Sequence, residues 1–403
     1  MLLGRDLLPF DPLAVADLCR ELDAWRARLD SKGTLLRSWD GRLRRDVEAE
    51  AVAASTSMEG VPVTVAEVRH ILMGERPPEV SPASRDLVDG YREAMGYVLR
   101  RSDDPNFRWN RELLVGLHDR ILAGHHGAGA GRLRSVVRRI ANNTTGRVVF
   151  EAADWEDVPD LLDQMCELVG FIEHPAMAAA WAHVATAAIH PFEDGNGRSA
   201  RVLASLAMYR GGFRRWEFTS LEEFWGRHLP DYYGAFTCLG SRFDRRVDVT
   251  PFVQAHVGAQ LAQVRALDMR ERVLRRVYAA LLSLLEGTGI DERAVDALWD
   301  GFLGYPVTPG YYAAVADVSR VTGSHDLGRA VAAGLLEPQG SGRGRRYVAS
   351  DRLYEGIARV LGLGSPGDAV DPRRQIIVEV ADRIHASDVD RGRLAQEPPP
   401  ELP

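Results

Sequence analysis

The feature that most restricts the fold of this chain is a short polar segment between two apolar helical patterns. It runs His190-Pro191-Phe192-Glu193-Asp194-Gly195-Asn196-Gly197-Arg198-Ser199-Ala200-Arg201. Pro191 disfavours a helical backbone at His190, so the helix predicted over 175–189 should end there. Gly195 and Gly197 permit a tight turn, and a second helix should begin beyond them. The segment therefore predicts a helix–loop–helix unit in which a helix N-terminus faces the loop.

The side chains of this segment are of the types that bind and activate phosphate esters. A helix N-terminus binds phosphate through its unpaired N–H groups, and Arg198 and Arg201 share one helical face, where they can clamp a polyphosphate. Asp194 offers an oxygen ligand for Mg²⁺. His190, with an ordinary pKa near ~6.5, can accept a proton from an attacking hydroxyl. Each feature by itself is more often structural, but their coincidence in one loop favours phosphate-ester chemistry.

The composition is that of a soluble globular protein. The 403 residues are 45% hydrophobic and 27% charged, and the formal net charge of -7 provides no general attraction to nucleic acid or anionic membranes. Three widely spaced cysteines argue against a disulfide framework. The first residues lack the pattern of a signal peptide, and the most apolar stretch, 177–189, is too short to span a bilayer. We therefore expect a cytoplasmic protein without membrane contact.

Helical spacing of apolar residues dominates the rest of the chain up to about residue 286. A β-hairpin is the clear exception, since two β-prone runs flank the turn-forming residues Asn142-Asn143-Thr144-Thr145-Gly146. We place this hairpin at about 134–150. The pair His125-His126 has no spaced third ligand, so we interpret it as part of a flexible loop rather than as a metal site. The predicted fold class is therefore mainly α.

The segment 190–201 resembles the signature of the Fic family, His-Pro-Phe-x-Asp/Glu-Gly-Asn-Gly/Lys-Arg-x-x-Arg, at every defined position. The resemblance implies that His190 is the general base, that Asp194 holds Mg²⁺ and that Arg201 pairs with the γ-phosphate. It further implies phosphate contacts from Gly195, Asn196, Gly197 and Arg198. The implied fold is a Fic helical core in which the hairpin forms a flap that aligns the target by main-chain pairing.

A second segment, Ser55-Thr56-Ser57-Met58-Glu59-Gly60, contains an electrostatic conflict. Ser55 and Glu59 lie four apart on one helical face, and Gly60 suits a helix end. A carboxylate in the last turn of a helix opposes the helix dipole, so Glu59 needs a cation from elsewhere. The segment resembles the Fic inhibitory motif, Ser/Thr-x-x-x-Glu-Gly/Asn, which implies that Glu59 pairs with Arg201 and restrains the enzyme.

The C-terminal part predicts a separate unit built as a winged helix-turn-helix. Helical stretches at 308–318 and 324–333, with a turn at Thr322-Gly323 between them, precede two short strands that flank the basic loop 340–346. The side chains that could contact DNA are His325, Arg329, Arg343, Arg345 and Arg346. The second helix is poor in base-reading side chains. The resemblance to the Fic family, many members of which carry similar C-terminal winged helices, implies that contact with protein is as compatible as contact with DNA.

The resemblance leads us to predict a protein adenylyltransferase that transfers AMP from ATP, with Mg²⁺, to a Ser, Thr or Tyr hydroxyl of a target protein or of the enzyme itself. Two alternatives stay open: AMP removal by the same site, with Glu59 aligning water, and a DNA-binding regulator that uses the winged helix. A homodimer is compatible with either. The predicted organisation is an N-terminal helical region at 1–100, a Fic core at 101–286, a winged helix at 287–365, and a C-terminal helix with a disordered tail at 366–403.

Overall fold

The structure is a computed structural model that describes residues 6–31, 37–124, 129–141, 145–215, 218, 221–366 and 371–390. The pair His125-His126, the centre of the predicted hairpin turn and the C-terminal tail lie outside the described residues. The chain divides into two compact units, one formed by 1–72 with 76–264 and the other by 73–75 with 265–403. The domain boundaries that the sequence suggests stay a prediction.

Helices dominate both units, which confirms the predicted fold class. In the first unit they are α1 (Ala16–Ser31), α2 (Arg37–Ser57), α3 (Val65–Leu72), α4 (Pro82–Ser102), α5 (Arg111–Ile121), α6 (Val158–Phe171), α7 (Pro175–Ile189), α8 (Asn196–Arg210), α9 (Leu221–Arg227) and α10 (Leu229–Ala235). Helix α11 (Thr250–Leu285) begins in the first unit and continues into the second. Among the described residues, no helix combines the length and apolar character that a membrane span requires.

The deeply buried helix α7 places the start of the polar segment. Small and apolar side chains make up most of this helix, and nearly all of them are buried. The indole of Trp181 is fully buried and donates its Nε1–H to the backbone oxygen of Leu8 at 2.9 Å. Helix α8 packs against α7 in the same hydrophobic core. Because close-packed cores hold their elements rigidly, the loop between the two helices has fixed ends.

Helices α4 and α5 approach each other closely at Gly90. A methyl group built on Gly90 would lie 2.6 Å from the carbonyl oxygen of Ile121 and 2.8 Å from that of Arg120. Both oxygens belong to the backbone, so a side chain at this position would force the two helices apart. Farther along α4, a methyl group on Gly96 would meet only the end of the Arg100 side chain, at 3.5 Å.

We expect Gly90→Ala to lower the free energy of unfolding by about 1–3 kcal/mol, the usual effect of inserting a group into a packed contact. The matched control on the same helix, Gly96→Ala, should raise it by about 0.5–1 kcal/mol, because alanine loses less backbone entropy in a helix. Urea unfolding followed by tryptophan fluorescence measures both changes. Equal effects of the two substitutions would contradict the close contact at Gly90.

The predicted hairpin is present, with strands β1 (Arg139–Ala141) and β2 (Val148–Glu151) paired antiparallel and an irregular register near the turn. The strands are shorter than the predicted span of 134–150, because the residues that lead into β1 do not pair as a strand. The ring of Phe150 is buried and anchors β2 in the core of the first unit. The hairpin therefore presents its remaining side chains mostly to solvent.

The second unit contains the elements that a winged helix requires. They are α12 (Val295–Phe302), α13 (Pro309–Val315), α14 (Arg320–Ala332), β3 (Leu336–Gln339), β4 (Arg346–Ala349), α15 (Asp351–Val360) and α16 (Pro372–Asp390). Strands β3 and β4 pair antiparallel, and Val307 adds a further bridge to Tyr347. The winged-helix assignment, and with it the binding of DNA or protein by this unit, stays a prediction.

The turn expected at Thr322-Gly323 lies instead inside α14. Ser319 caps this helix by accepting the N–H of Thr322 at 3.1 Å, and Gly323 is buried where α14 packs on α13. The chain reverses earlier, at Asp317, whose φ is 52°. A serine cap and a buried helical contact outweigh the turn preference of glycine at this place.

Candidate active site

His190 lies at the C-terminal end of α7 in a left-handed backbone conformation, with φ 54° and ψ 59°. Such a conformation is uncommon for a non-glycine residue and requires support from its surroundings. The Nδ1 atom of the ring lies 3.3 Å from the carbonyl oxygen of Ala187. Because a carbonyl oxygen can only accept, the hydrogen of the neutral ring belongs on Nδ1, and Nε2 carries the free lone pair.

The support for this backbone comes from Arg134, a buried residue that precedes the hairpin. Its guanidinium donates to four backbone carbonyl oxygens, those of Val136, Ala153, Ile189 and His190. The bond to His190 measures 2.7 Å, and the N–H of Arg134 donates to the carbonyl oxygen of Pro191 at 3.0 Å. Arg134 therefore ties the chain that enters the hairpin to the end of α7.

The loop between His190 and α8 is closed by the side chain of Asn196. Its Oδ1 accepts the N–H of Phe192 and its Nδ2 donates to the carbonyl oxygen of Phe192, both at 2.9 Å. The ring of Phe192 is fully buried, as its apolar character in a polar loop suggests. The side chain of Asn196 thus shapes the loop, and any contact of Asn196 with an anion would come from its backbone N–H.

His118, on α5, supports the same loop from the core side. Its ring stacks on that of Phe192 with 3.7 Å between the centroids. Its Nδ1 accepts the N–H of Gly131 at 3.1 Å, so Nε2 carries the hydrogen and donates to the carbonyl oxygen of Asp194 at 2.9 Å. Burial lowers the pKa of His118, which keeps this ring neutral. An isolated histidine in an amphipathic helix carries no sequence signal for such a contact.

The start of helix α8 is suited to bind an anion. Its N-cap residue, Gly195, has a left-handed backbone with φ 75° and provides no side-chain cap. The first N–H groups of the helix, at 196–198, therefore combine with the helix dipole into a favourable place for negative charge. Beside it, Oδ1 of Asp194 accepts the N–H of Gly195 at 2.7 Å, and the Asp194 side chain is 50% exposed.

Arg198 is a buried cation whose hydrogen bonding is incomplete. Its side chain is 2% exposed, and Nη2 donates to Oδ2 of Asp194 across a long 3.4 Å. In the described part of the chain, its buried Nε and Nη1 atoms have no hydrogen-bond partner. Burial lowers the pKa of Arg198, although the carboxylates of Glu59 and Asp194 act against that shift. Buried donors are normally satisfied, so this guanidinium is arranged to receive an acceptor from outside the chain.

Arg201, one turn farther along α8, already has several acceptors. Its Nε donates to Oγ of Ser55 at 2.9 Å, and its Nη2 donates to the carbonyl oxygen of Ser55 at 3.0 Å and to Oε1 of Glu59 at 2.8 Å. Burial disfavours the charge, but the neighbouring Tyr232 hydroxyl and Glu59 outweigh it and hold the pKa of Arg201 above its ordinary value. The expected pairing of Glu59 with Arg201 is therefore present.

Glu59 lies in the turn that follows α2, and its carboxylate reaches the start of α8. A methyl group on Gly197 would lie 2.3 Å from Oε1 of Glu59, so only glycine leaves room for the carboxylate there. A helix dipole favours an acidic group at the N-terminus, which resolves the conflict that Glu59 has with its own helix. The anion site at the start of α8 thus holds a carboxylate of the chain itself.

The surroundings of His190 keep its ring neutral. Burial lowers the pKa of His190 to about 4, and the positive charges of Arg138 and Arg134 add to the shift. The backbone oxygen of Ala187 and the charge of Glu59 act in the opposite direction but do not cancel it. At neutral pH the ring is therefore an acceptor of protons rather than a cation.

We expect Asn196→Ala to lower the free energy of unfolding by about 2–4 kcal/mol, because it leaves two buried backbone groups of Phe192 without partners. Ser199→Ala is the matched control on the same helix, since the Ser199 hydroxyl is buried without a hydrogen-bond partner among the described residues. It should be close to neutral. Thermal and urea unfolding measure the difference, and similar stabilities of the two variants would show that Asn196 does not hold the loop.

Comparison with known proteins finds a family model that matches part of this chain. The model of the Fic/DOC family matches residues 108–208, which include the whole polar segment. A curated relative from Caenorhabditis elegans, "Protein adenylyltransferase fic-1", is 28% identical over 177 residues, which cover 43% of this chain and 34% of that protein. A second, "Protein adenylyltransferase Fic" from Culex quinquefasciatus, is 30% identical over 210 residues, 49% of this chain and 41% of that protein. The chain therefore matches less than half the length of these relatives.

Solved structures show the same fold. A Fic family protein from Desulfovibrio desulfuricans superimposes with a TM-score of 0.55 at 22% identity and covers 85% of this chain and 97% of its own. A Fic domain containing signaling protein from Bacteroides thetaiotaomicron gives a TM-score of 0.50 at 21% identity over 62% of this chain and 97% of its own. The resemblance seen in the sequence is confirmed: this chain contains a domain of the Fic/DOC family at residues 108–208.

Proposed function

We propose that this protein is a protein adenylyltransferase, which transfers AMP from ATP to a Ser, Thr or Tyr hydroxyl of a target protein and is restrained by Glu59. The observation that carries the proposal is the pair of buried arginines at an uncapped helix start. Arg198 has unpaired donors, and Arg201 holds a carboxylate that a phosphate could replace. The names of the curated relatives support the same reaction.

In this proposal the phosphates of ATP lie at the start of α8. The N–H groups at 196–198 bind oxygens of the α- and β-phosphates, and Arg198 donates to them through Nε and Nη1. Arg201 pairs with the γ-phosphate after Glu59 has left. Donors that are already in place where negative charge develops stabilise the transition state without reorganisation, and this supplies much of the catalysis.

His190 is the base of the proposed reaction. Since its Nδ1–H points to the carbonyl oxygen of Ala187, Nε2 is free to take the proton of the target hydroxyl. The hydroxyl oxygen then attacks the α-phosphorus in line, the bond from this phosphorus to the oxygen that bridges to the β-phosphate breaks, and pyrophosphate leaves. The hydrogen bond from Nε of Arg134 to the carbonyl oxygen of His190 fixes the backbone that carries this ring.

Asp194 is the residue that would hold Mg²⁺. The donor set fits, because this half-exposed carboxylate lies beside the proposed phosphate site and Mg²⁺ typically takes one or two carboxylates together with substrate phosphates. The bound ion would neutralise charge on the phosphates and on the departing pyrophosphate.

The hairpin is suited to align the target segment. At Glu151, strand β2 already contacts another part of the chain, since its N–H donates to Ser241 and its carbonyl oxygen accepts from Phe243. Within the described part of the chain, β1 pairs as a strand only with β2, so its other edge is available, and its approach is tied to His190 through Arg134. An extended peptide that pairs with this edge would bring a hydroxyl to the base. Because the pairing uses the main chain, it would not require particular side chains next to the hydroxyl in the peptide.

We expect Glu59→Gly to raise incorporation of label from [α-³²P]ATP into protein by about tenfold to a hundredfold, because a hydrogen bond to a charged group contributes roughly 1.5–3 kcal/mol. The added activity should vanish in the double variant Glu59→Gly/His190→Ala. Other labelled nucleoside triphosphates, assayed in parallel, test the preference for ATP.

The matched control is Glu286→Gly. Glu286 is exposed and stands, like Glu59, just beyond a helix end and before a glycine with positive φ, here Gly287 at 73°. It should leave incorporation at the level of the unmodified protein. The proposed restraint fails if the two glycine variants behave alike, and the proposed reaction fails if no nucleoside triphosphate labels protein in the Glu59→Gly variant.

The pH dependence should reflect the lowered pKa of His190. A base must be neutral, so a pKa of about 4 keeps His190 competent throughout the range in which an ordinary histidine becomes protonated. We expect the pH profile of kcat/KM for the Glu59→Gly variant to have no inflection near pH 6.5. Arg138→Gln removes a charge that lowers this pKa, so it should move the acid limb to higher pH. An inflection near 6.5 in the Glu59→Gly variant would show that the ring is not held neutral.

A further inference from the structure

The guanidinium of Arg201 depends on two different parts of the chain. Ser55 and Glu59, at the end of α2, accept three of its hydrogen bonds. The fourth runs from Nη1 to the hydroxyl of Tyr232, on α10, at 3.4 Å. When Glu59 withdraws to admit a phosphate, Ser55 and Tyr232 remain as acceptors, and Tyr232 is the one that bonds Nη1, among the partners that the described residues provide.

We propose that Tyr232 is a positioning residue: its hydroxyl holds Nη1 of Arg201 in place for the γ-phosphate of ATP after Glu59 has left. This inference rests on the proposed function and names a residue on which that function depends. In the inhibited arrangement the bond from Arg201 to Tyr232 is long because three shorter bonds draw the guanidinium toward α2. Without the bond to Glu59, the guanidinium can move closer to the hydroxyl.

Several contacts that fix Tyr232 lie outside α2 and the turn that follows it. Its hydroxyl lies 3.1 Å from Nε2 of His183, and Nδ1 of His183 lies 3.2 Å from Nε2 of His256. All three side chains are buried. The ring of Tyr232 also packs in a cluster with Trp225 and Met58. Trp225 belongs to α9, so this part of the enclosure does not depend on the position of Glu59.

The direction of this hydrogen-bond chain follows from its first member. A guanidinium can only donate, so the Tyr232 oxygen accepts from Arg201 and its O–H points to Nε2 of His183. The hydrogen of His183 is then on Nδ1 and is donated to His256. Burial lowers the pKa of His183 well below its ordinary value and that of His256 to about 3, so both rings are neutral and able to accept.

These hydrogen bonds connect the proposed base and the proposed γ-phosphate ligand through one helix. His183 lies two turns before His190 on α7, and both are fixed by the same buried helix. The proposed base is at the end of α7, and the proposed γ-phosphate ligand is held by α7 through His183 and Tyr232. A common frame of this kind keeps the distance between base and phosphate constant, on which an in-line transfer depends.

The test is Tyr232→Phe in the full-length Glu59→Gly variant. Isothermal titration with Mg²⁺ measures the affinity for the non-cleavable analogue α,β-methylene-ATP and for ADP. We expect the Kd for the triphosphate to rise by about fivefold to tenfold, as for the loss of one weak hydrogen bond to a charged group, with the Kd for ADP changed by less than about twofold. A role of Tyr232 in packing alone would change both affinities equally, and that result overturns the proposal, as does an unchanged triphosphate affinity.

Tyr312→Phe is the matched control, because it removes another buried tyrosyl hydroxyl, which donates to Asp326 in the second unit. It should change neither affinity. The proposed function is tested separately by incorporation of label in the Glu59→Gly variant without any change at Tyr232. If that variant labels protein and Tyr232→Phe does not affect triphosphate selectivity, the reaction stands and the positioning role is wrong.

A second measurement needs no substitution. Nitrogen-15 chemical shifts of labelled histidines report which ring nitrogen carries the hydrogen, and His183 should be neutral and protonated on Nδ1. A His183 ring protonated on Nε2 could not accept from Tyr232, and the proposed chain would then be excluded.

Discussion

Two guanidinium groups buried at the start of one helix define this site. Removing a charge from water is costly unless hydrogen-bond acceptors or opposite charges replace the lost hydration. For Arg201 the chain itself supplies them, through Ser55, Glu59 and Tyr232. For Arg198 it supplies only a long contact with Asp194. Arg201 is thus a cation held by an internal carboxylate, whereas Arg198 is available to an external anion. The binding and the restraint proposed for the site both follow from this difference.

The loop around these arginines is shaped by side chains that bind the backbone. Arg134 donates to four carbonyl oxygens, Asn196 spans the N–H and carbonyl groups of Phe192, and His118 joins Gly131 to Asp194. None of these contacts requires a ligand. The chain therefore holds the loop in this form by its own contacts, and donors fixed in this way are suited to the transition-state stabilisation that we propose.

The restraint proposed for Glu59 depends on a fit between two distant segments. Gly197 leaves space for the carboxylate, and Arg201 provides the opposite charge. Glu59 itself opposes the dipole of its own helix but satisfies that of α8. An anion of higher charge can compete for the same place, so the contact is suited to restrain the site without being irreversible.

The sequence by itself determined the local parts: the helix ending before Pro191, the glycine-permitted turn, the hairpin, the mainly α class, and the chemistry available to His190, Asp194, Arg198 and Arg201. These depend on residues close together in the chain, where backbone preference and spacing are informative. The same reasoning misplaced the turn at Thr322-Gly323, since burial against a neighbouring helix decides that region. The tertiary structure alone decided the contacts of Arg134, His118 and Tyr232 and the low pKa of His190. Those depend on packing between residues far apart in sequence. The pattern of a single segment does not indicate which distant side chain will pack against that segment.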